Sequence, residues 1–462
     1  RGSISTGEYE IANSLKFEID NSECLTKTFG SSGNRKAWTW SSWVKRTELN
    51  SSTTYQLLFS AGTGNPPRDV FFFDADTDDT LCFFSNGGLF SSTTLGFRTN
   101  AVFRDTSAWY HIVLVLDTAN STAADRLKLY VNGVSQTFST YNAPTQNADS
   151  LINSNTDHAI GRDSSFAALG FNAQYFSGYM AETHFVDGSQ LAPTDFGEYD
   201  EDSGIWKPKA YTGSYGTNGF YLDFEDNTSA GKDTSGNNNN FSDTNLNAAD
   251  HATDTPTNNG CTLNVLASLE GSNDITEGAL VSTGKAGGGG NFNGTYGTIG
   301  IDPFNSSVDW YWEIETSIGT SGSLTDIGIG WIKESRITSG STAYNNVYAD
   351  GISRYSSQTA NAAGDIWGVL LETGTTPVMK LYRNDGLIYT ATHGSGGVSF
   401  DTLMFPYITV KGTSVDARLN FLNPASSFSI ASGNADPNGY GNFEFDPKGG
   451  YALCTKNLAE YG

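Results

Sequence analysis

Trp109-Tyr110-His111-Ile112-Val113-Leu114-Val115-Leu116, followed by Leu127-Lys128-Leu129-Tyr130-Val131-Asn132-Gly133, decides the fold class of this chain. A run apolar at successive positions, as from Ile112 to Leu116, suits a strand covered on both faces. Asn132-Gly133 then supplies residues that tolerate the positive φ of a two-residue hairpin turn. The same pattern returns later: Trp367-Gly368-Val369-Leu370-Leu371 leads to Leu381-Tyr382-Arg383-Asn384-Asp385-Gly386, with Asp385-Gly386 at the turn. The pair predicts an all-β chain of two sandwiches in tandem. Such folds more often carry binding loops than active sites.

Composition agrees. A chain of 462 residues is too long for one ordinary sandwich. It holds 52 Gly, 22 Tyr, 28 Phe and 9 Trp with only 16% charged residues, which fits aromatic strands between Gly/Ser/Thr/Asn turns. The formal charge of −24, from 26 basic and 50 acidic residues, argues against a nucleic-acid partner, because phosphate binding needs clustered Lys and Arg. It suits an acidic, outward-facing protein, some of whose carboxylates are candidates for Ca²⁺. Cys24, Cys82, Cys261 and Cys454 lack metal-ligand spacing, and Cys82 in Leu81-Cys82-Phe83-Phe84 reads as a core residue. No apolar run approaches the roughly 18 residues of a membrane span, so no membrane insertion is expected. The chain starts at Arg1, which reads as a processed, trimmed or partial product.

Along the first 205 residues the strand candidates are Leu15–Ile19, Trp38–Val44, Gln56–Ser60, Val70–Phe73, Leu81–Phe84, the pair from Trp109 to Gly133, His158–Gly161 and Gly178–Val186. Trp38 and Trp40 share a parity that Trp43 does not, which places at least one Trp in the core and another near the surface. Ala192–Gly197 reads as a short helical turn. Trp43-Val44, Trp109-Tyr110-His111, Leu129 to Gly133, Ile160-Gly161-Arg162 and the Asp187-Gly188 turn together resemble the laminin-G-like, concanavalin A-type jelly roll. That resemblance spans about residues 13 to 200 and implies a possible calcium ion near a binding rim.

Residues 206–262 shift to Gly, Asn, Asp, Thr and Ser and read as a connector with one strand, Gly219–Phe224. Residues 263–430 resemble a SPRY domain through Trp310–Glu315, Asp326–Trp331, Gly364–Leu370, Leu381–Gly386 and Leu403–Tyr407. Both domains are therefore expected to be concanavalin A-like/jelly-roll sandwiches. Residues 431–462 read as a C-terminal extension in which Phe443–Asp446 forms an edge strand.

Two carboxylate groupings invite a catalytic reading and two a metal reading. Glu313 and Glu315 lie two apart on a strand and face the same way, but they belong to the SPRY strand block. Glu18-Ile19-Asp20-Asn21-Ser22-Glu23 matches a sandwich-glucanase spacing, yet Glu23 has the wrong parity and Asn21-Ser22 reads as a turn. Asp74, Asp76 and Asp78 open like a calcium loop, but Asp79 and Ser85 stand where an EF-hand needs Gly and Glu, and an acidic hairpin turn is favoured. Asp226, Asp233 and Asn237 form a second set of hard oxygen ligands. His111 and His184 sit in strands, where isolated histidines are usually packed and hydrogen-bonded. No Ser/His/Asp or Cys/His arrangement is indicated.

Recognition chemistry is richer. Tyr344, Asn345, Asn346, Tyr348, Arg354 and Tyr355 lie in a polar stretch where the SPRY resemblance places ligand loops, and Tyr with Asn and Arg combines rigid contact area with directed hydrogen bonds. Arg162, Asp163, Phe166 and Tyr175 form a comparable loop in the first domain. The domain order, with the Trp206–Tyr221 connector, resembles the structural and adhesion proteins of marine tailed bacteriophages. This implies a non-enzymatic virion protein, a tail fibre, spike or capsid decoration, that is homo-oligomeric and contacts host-surface glycan or other virion subunits. A purely structural subunit-contact role is the alternative, and a polysaccharide-degrading enzyme ranks third.

Overall fold

Asn132 and Gly133 take φ of 49° and 77° between the cross-strand partners Val131 and Val134, the geometry of a two-residue hairpin. The second hairpin turns one residue earlier than the sequence suggests. Asn384 and Asp385 carry φ of 46° and 69°, and Gly386 already pairs with Arg383. Asn accounts for both registers. The Asn132 side chain accepts from the amide of His111 at 2.8 Å, and that of Asn384 accepts from the amide of Ile366 at 3.0 Å, so each locks its turn onto the preceding strand. A Cβ on Gly133 would lie 2.5 Å from the Trp206 ring. Gly133→Ala is therefore expected to cost about 1–2 kcal/mol from the left-handed backbone alone, read as a lower urea midpoint at unchanged slope.

This computed structural model describes residues 9–49, 55–63, 67–74, 78–91, 94–164, 174–266, 273–284, 293–318, 327–339, 352–353, 363–410 and 415–462. Among them the chain is nearly all β and divides into two compact units, Thr6–Thr257 and Asn258–Gly462.

In the first unit one sheet runs in the order Val134–Ser135, Leu127–Val131, Trp109–Asp117, Ala37–Arg46, Gly178–Asp187, Ser14–Phe17, His251–Ala252. The facing sheet runs Phe138–Tyr141, Thr94–Val102, Thr80–Ser85, Arg68–Asp74, Tyr55–Gly62, Asp157–Ile160, Cys24–Thr28, Ser242–Thr244. Ile112, Leu114 and Leu116 point between the sheets with Trp38, Trp40, Phe59 and Phe71. Val113 and Val115 point the other way, beneath Phe196 with Tyr211 and Tyr215 beside it. Trp43 also lies on that second face, packed with Trp109 and Trp206, so all three expected tryptophans are buried and none is near the surface.

That second face explains why residues 206–257 are not a loose connector. Leaving Val113, Val115 and Trp43 in water would forfeit about 1.5–3 kcal/mol for each large apolar side chain, so the polar stretch folds over them as a third layer. Its strands number four rather than one: Trp206–Pro208, Phe220–Leu222, Ser242–Thr244 and His251–Ala252. Three of them join the two main sheets, pairing with Gly178–Asp187, Cys24–Thr28 and Ser14–Phe17.

The second unit repeats the plan. Its larger sheet runs Asn273–Thr276, Val281–Gly284, Val415–Asn420, Trp310–Ile318, Asp365–Glu372, Val378–Arg383, Gly386–Thr392, and its smaller one runs Asn293–Tyr296, Met404–Val410, Ile327–Lys333, Ile352–Ser353. Trp312, Ile314, Val369 and Leu371 fill the core, while Tyr311 and Leu370 face outward under Leu422, Phe443 and Ala452. The C-terminal extension is thus again a cover. Phe443 makes only an isolated bridge to Asn434 instead of an edge strand, and Tyr451–Ala452 joins Trp310–Ile318 in parallel.

Candidate functional site

Tyr344, Asn346, Tyr348, Arg354, Tyr355 and Phe166 lie outside the described residues. Of their expected companions, Asp163 is buried and pairs with the Arg68 guanidinium, the Arg162 carbonyl accepts from Ser60 at 2.8 Å, and Tyr175 is buried. Asp163 and Tyr175 therefore present no open face to a ligand, whereas the Arg162 side chain is half-buried.

The calcium candidates are engaged within the fold. Asp74 and Asp78 both bind Arg98, at 2.5 and 3.1 Å, across the Arg68–Asp74 and Thr80–Ser85 hairpin. Asp76 lies outside the described residues. Asp226 pairs with Lys232 at 2.8 Å, Asp233 accepts from the amides of Tyr221, Ser235 and Asn239, and Asn237 donates to the carbonyls of Gly216 and Gly219. These are turn-forming bonds rather than a coordination shell. No group of three or more His, Cys, Asp or Glu side chains that could hold a metal occurs among the described residues.

The strand histidines are packed and hydrogen-bonded. Trp206 Nε1 donates to His111 Nδ1 at 3.0 Å, which leaves the proton on Nε2, so His111 donates to Ser41 Oγ at 2.9 Å. A histidine that gives a proton to the serine cannot also withdraw one from it. Burial between the Trp43 and Trp206 rings pushes His111 down to about 3, with His184 adding to the effect. His158 is likewise held neutral, accepting from Asn153 N at 2.9 Å and pushed down to about 4 by burial. Glu182, at φ 49° in a bulge of Gly178–Asp187, accepts from Tyr9 and Tyr221 at 2.6 Å each and lies 3.5 Å from His184. These bonds fasten the third layer to the sheet.

Glu18 and Glu23 flank a tight turn in which Ser22 takes φ 58°, and Glu23 accepts from Glu18 N at 2.7 Å. Asp20 points to solvent, so the three carboxylates do not share a face. Burial, then the neighbouring Asp250, pushes Glu23 up to about 8. Glu313 accepts from the amides of Glu444 and Phe445 at 2.8 and 2.9 Å, and Glu315 accepts from Ser429 N at 2.8 Å. Glu313 therefore anchors the C-terminal cover, and Glu315 the segment that leads into it. All four cysteines are buried, Cys82 among them.

Open chemistry gathers instead at the free edge of the first sandwich. Where the chain leaves Val134–Ser135 in one sheet for Phe138–Tyr141 in the other, a groove of about 350 Å³ forms. Alternation along Leu127–Val131 sends Leu127 and Leu129 into the core and Lys128 and Tyr130 outward, and Ser135 is the cross-strand partner of Tyr130. Gln136, Phe138 and Tyr141 complete the wall. The Tyr141 hydroxyl lies 3.2–3.3 Å from the carbonyls of Ala123, Ala124 and Leu127, and its ring stacks on Phe138, which packs on Phe97 in the core. The aromatic wall is thus rigid before any ligand arrives. Lys128 pairs with Asp125 at 3.0 Å. Among the described residues the hydroxyls of Tyr130 and Ser135 take no protein partner. A second depression of about 540 Å³ in the other unit is lined by Phe304, Glu334, Phe400 and Asp401, but Phe400 is buried and offers little face.

The groove was missed in the sequence although a signal existed. Lys128 and Tyr130 sit at the solvent-facing positions of an edge hairpin, and aromatic residues recur at Phe138 and Tyr141 directly after it.

Residues 21–192 match the family model described as the Concanavalin A-like lectin/glucanases superfamily, and the first unit is a sandwich of that type. Among solved structures the chain is similar to a heptameric SAP-like pentraxin from Limulus polyphemus, at 18% identity over 40% of this chain and 81% of that one, with a TM-score of 0.28. Domains LG4-5 of the mouse laminin alpha1 chain give 10% identity over 90% and 92%, with a TM-score of 0.31. A human SPRY domain gives 15% identity over 30% and 90%, with a TM-score of 0.21. No curated protein matches the chain.

Proposed function

We propose that this chain is a non-enzymatic carbohydrate-recognition protein whose first sandwich binds a sugar in the groove beside Tyr130 and Tyr141. The supporting observation is the groove itself: rigid aromatic faces for the apolar side of a pyranose, next to the free hydroxyls of Tyr130 and Ser135 and the Gln136 amide. Display of many copies on a virion surface, the setting its domain order resembles, would turn weak single-site binding into avidity for host glycan.

A glycan array probed with the intact chain, presented as a multimer, tests the reading. Tyr130→Ala and Tyr141→Ala are each expected to weaken binding by about tenfold or more, about 1.4 kcal/mol, with folding checked separately because the half-buried Tyr130 ring also packs beside Val113 and Val115. Absence of glycan binding by the multimer would remove the proposal. One observation favours a subunit-contact role instead: Val134, Tyr199 and Ile205 are 55%, 50% and 67% exposed. Tyr199 and Val134 both lie close to the Asn132-Gly133 turn. Occlusion of those three side chains between neighbouring copies in an assembled particle would support that role.

A further inference from the structure

Resting on that reading, we infer that the groove selects uncharged hexose units and discriminates against sulfated or uronic-acid glycans. Lys128 is the cation of the wall, and its charge is already answered. Asp125 holds it at 3.0 Å, and the Gln190 amide, oriented to satisfy both neighbours, accepts from Lys128 at 3.2 Å while donating to Asp117 at 3.3 Å. An anionic sugar would therefore meet a neutralised ammonium with two carboxylates, Asp125 and Asp117, close behind it. The remaining polar groups, the hydroxyls of Tyr130 and Ser135 and the Gln136 amide, are neutral and suit hydroxyl partners. The chain's net charge of −24 adds a long-range field that slows the approach of any polyanion. By contrast, the Asp125–Lys128 pair offers one charged acceptor beside one charged donor. Two adjacent ring hydroxyls can engage both at once, in charge-assisted hydrogen bonds that leave the ion pair intact. A volume of about 350 Å³ limits the occupant to a short terminal or internal segment rather than a wrapped chain.

The test uses the intact protein and matched probes: cellohexaose against its C6-oxidised uronate counterpart, and desulfated against sulfated κ-carrageenan hexaose. At least one neutral probe is expected to bind about tenfold or more tightly than its anionic partner. Its affinity should change less than about twofold between about 50 and 500 mM NaCl, as befits a contact that neutralises no net charge. Asp125→Asn, which unmasks Lys128, is expected to raise affinity for the anionic member of each pair. A preference for the anionic probes that is lost in Tyr130→Ala overturns this inference and leaves carbohydrate recognition standing. Neutral binding that survives Tyr130→Ala and Tyr141→Ala overturns the groove as its seat, and binding to neither class overturns both.

Discussion

A Glu313→Ala variant is expected to unfold with a stability about 3 kcal/mol lower than the native chain and to free the C-terminal cover before the rest of its unit. The Glu313 side chain is buried at the centre of Trp310–Ile318 and accepts from the amides of Glu444 and Phe445 and from the Tyr311 hydroxyl. Truncation leaves those donors without an acceptor, and each such loss costs about 1–3 kcal/mol, least where water can reach the amide. Amide exchange at Glu444 and Phe445 should accelerate strongly, while exchange within Val378–Arg383 should change little in native conditions. The same carboxyl makes stability depend on pH. Burial pushes it up from 4.5 to about 7, against the opposing pull of its backbone donors. A carboxyl whose folded value lies above its unfolded value binds its proton more tightly in the native state. The charging penalty is therefore absent below pH 4.5, builds between 4.5 and 7, and totals about 3 kcal/mol above that. Glu313→Gln does not titrate, so its stability relative to the native chain should improve by that amount across the same window. Urea midpoints at pH 4.5 and 8 decide it: a constant difference between the two chains would exclude the linkage.

The fold was legible because its decisive signals are local. An unbroken run such as Ile112–Leu116 needs two apolar neighbours, and the Asn-centred turns fix the register of the following strand. The run also implied a second cover, on the side away from the inter-sheet core. What hid the cover was its composition: residues 206–257 and 431–462 read as polar loops because a few large side chains, Trp206, Phe220 and Phe443, do the burying while Asn and Asp satisfy the backbone between them. Carboxylates were harder still. Glu313, Glu315, Asp233 and Asp74 have the residue types and spacing of catalytic or metal groups, and only three-dimensional partners reveal that amides, an arginine and turn donors already occupy them. The groove escaped for the opposite reason. Its residues all lie between Ala124 and Tyr141, but they come from a hairpin strand and from a strand in the other sheet, and only the crossing from one sheet to the other turns that window into a wall.

His111 gives the first unit a matching sensitivity on the acid side, and a His111→Gln variant should lose it. Burial between Trp43 and Trp206 lowers the ring from 6.5 to about 3. For a base depressed in this way the unfolded chain takes the proton first. The native advantage is complete above pH 6.5 and disappears as the pH falls through 3, a change of about 4–5 kcal/mol. At pH 7 the variant should be the less stable chain, because Gln, although it carries both an acceptor and a donor, lacks the planar ring that stacks between Trp43 and Trp206 and holds its two nitrogens toward Trp206 and Ser41. On acidification the gap should close by about 4–5 kcal/mol, since only the native chain must keep a ring neutral against protonation. His158, lowered to about 4, and Glu23, raised to about 8, titrate in both chains and cancel in the difference. Hydrogen exchange of the Ile112–Leu116 amides in urea, between pH 7 and 3, isolates the first unit within the intact chain. Parallel curves for the two chains would mean that the fold accepts a charged His111, although its second proton, on Nδ1, would face the Trp206 Nε1 donor instead of an acceptor.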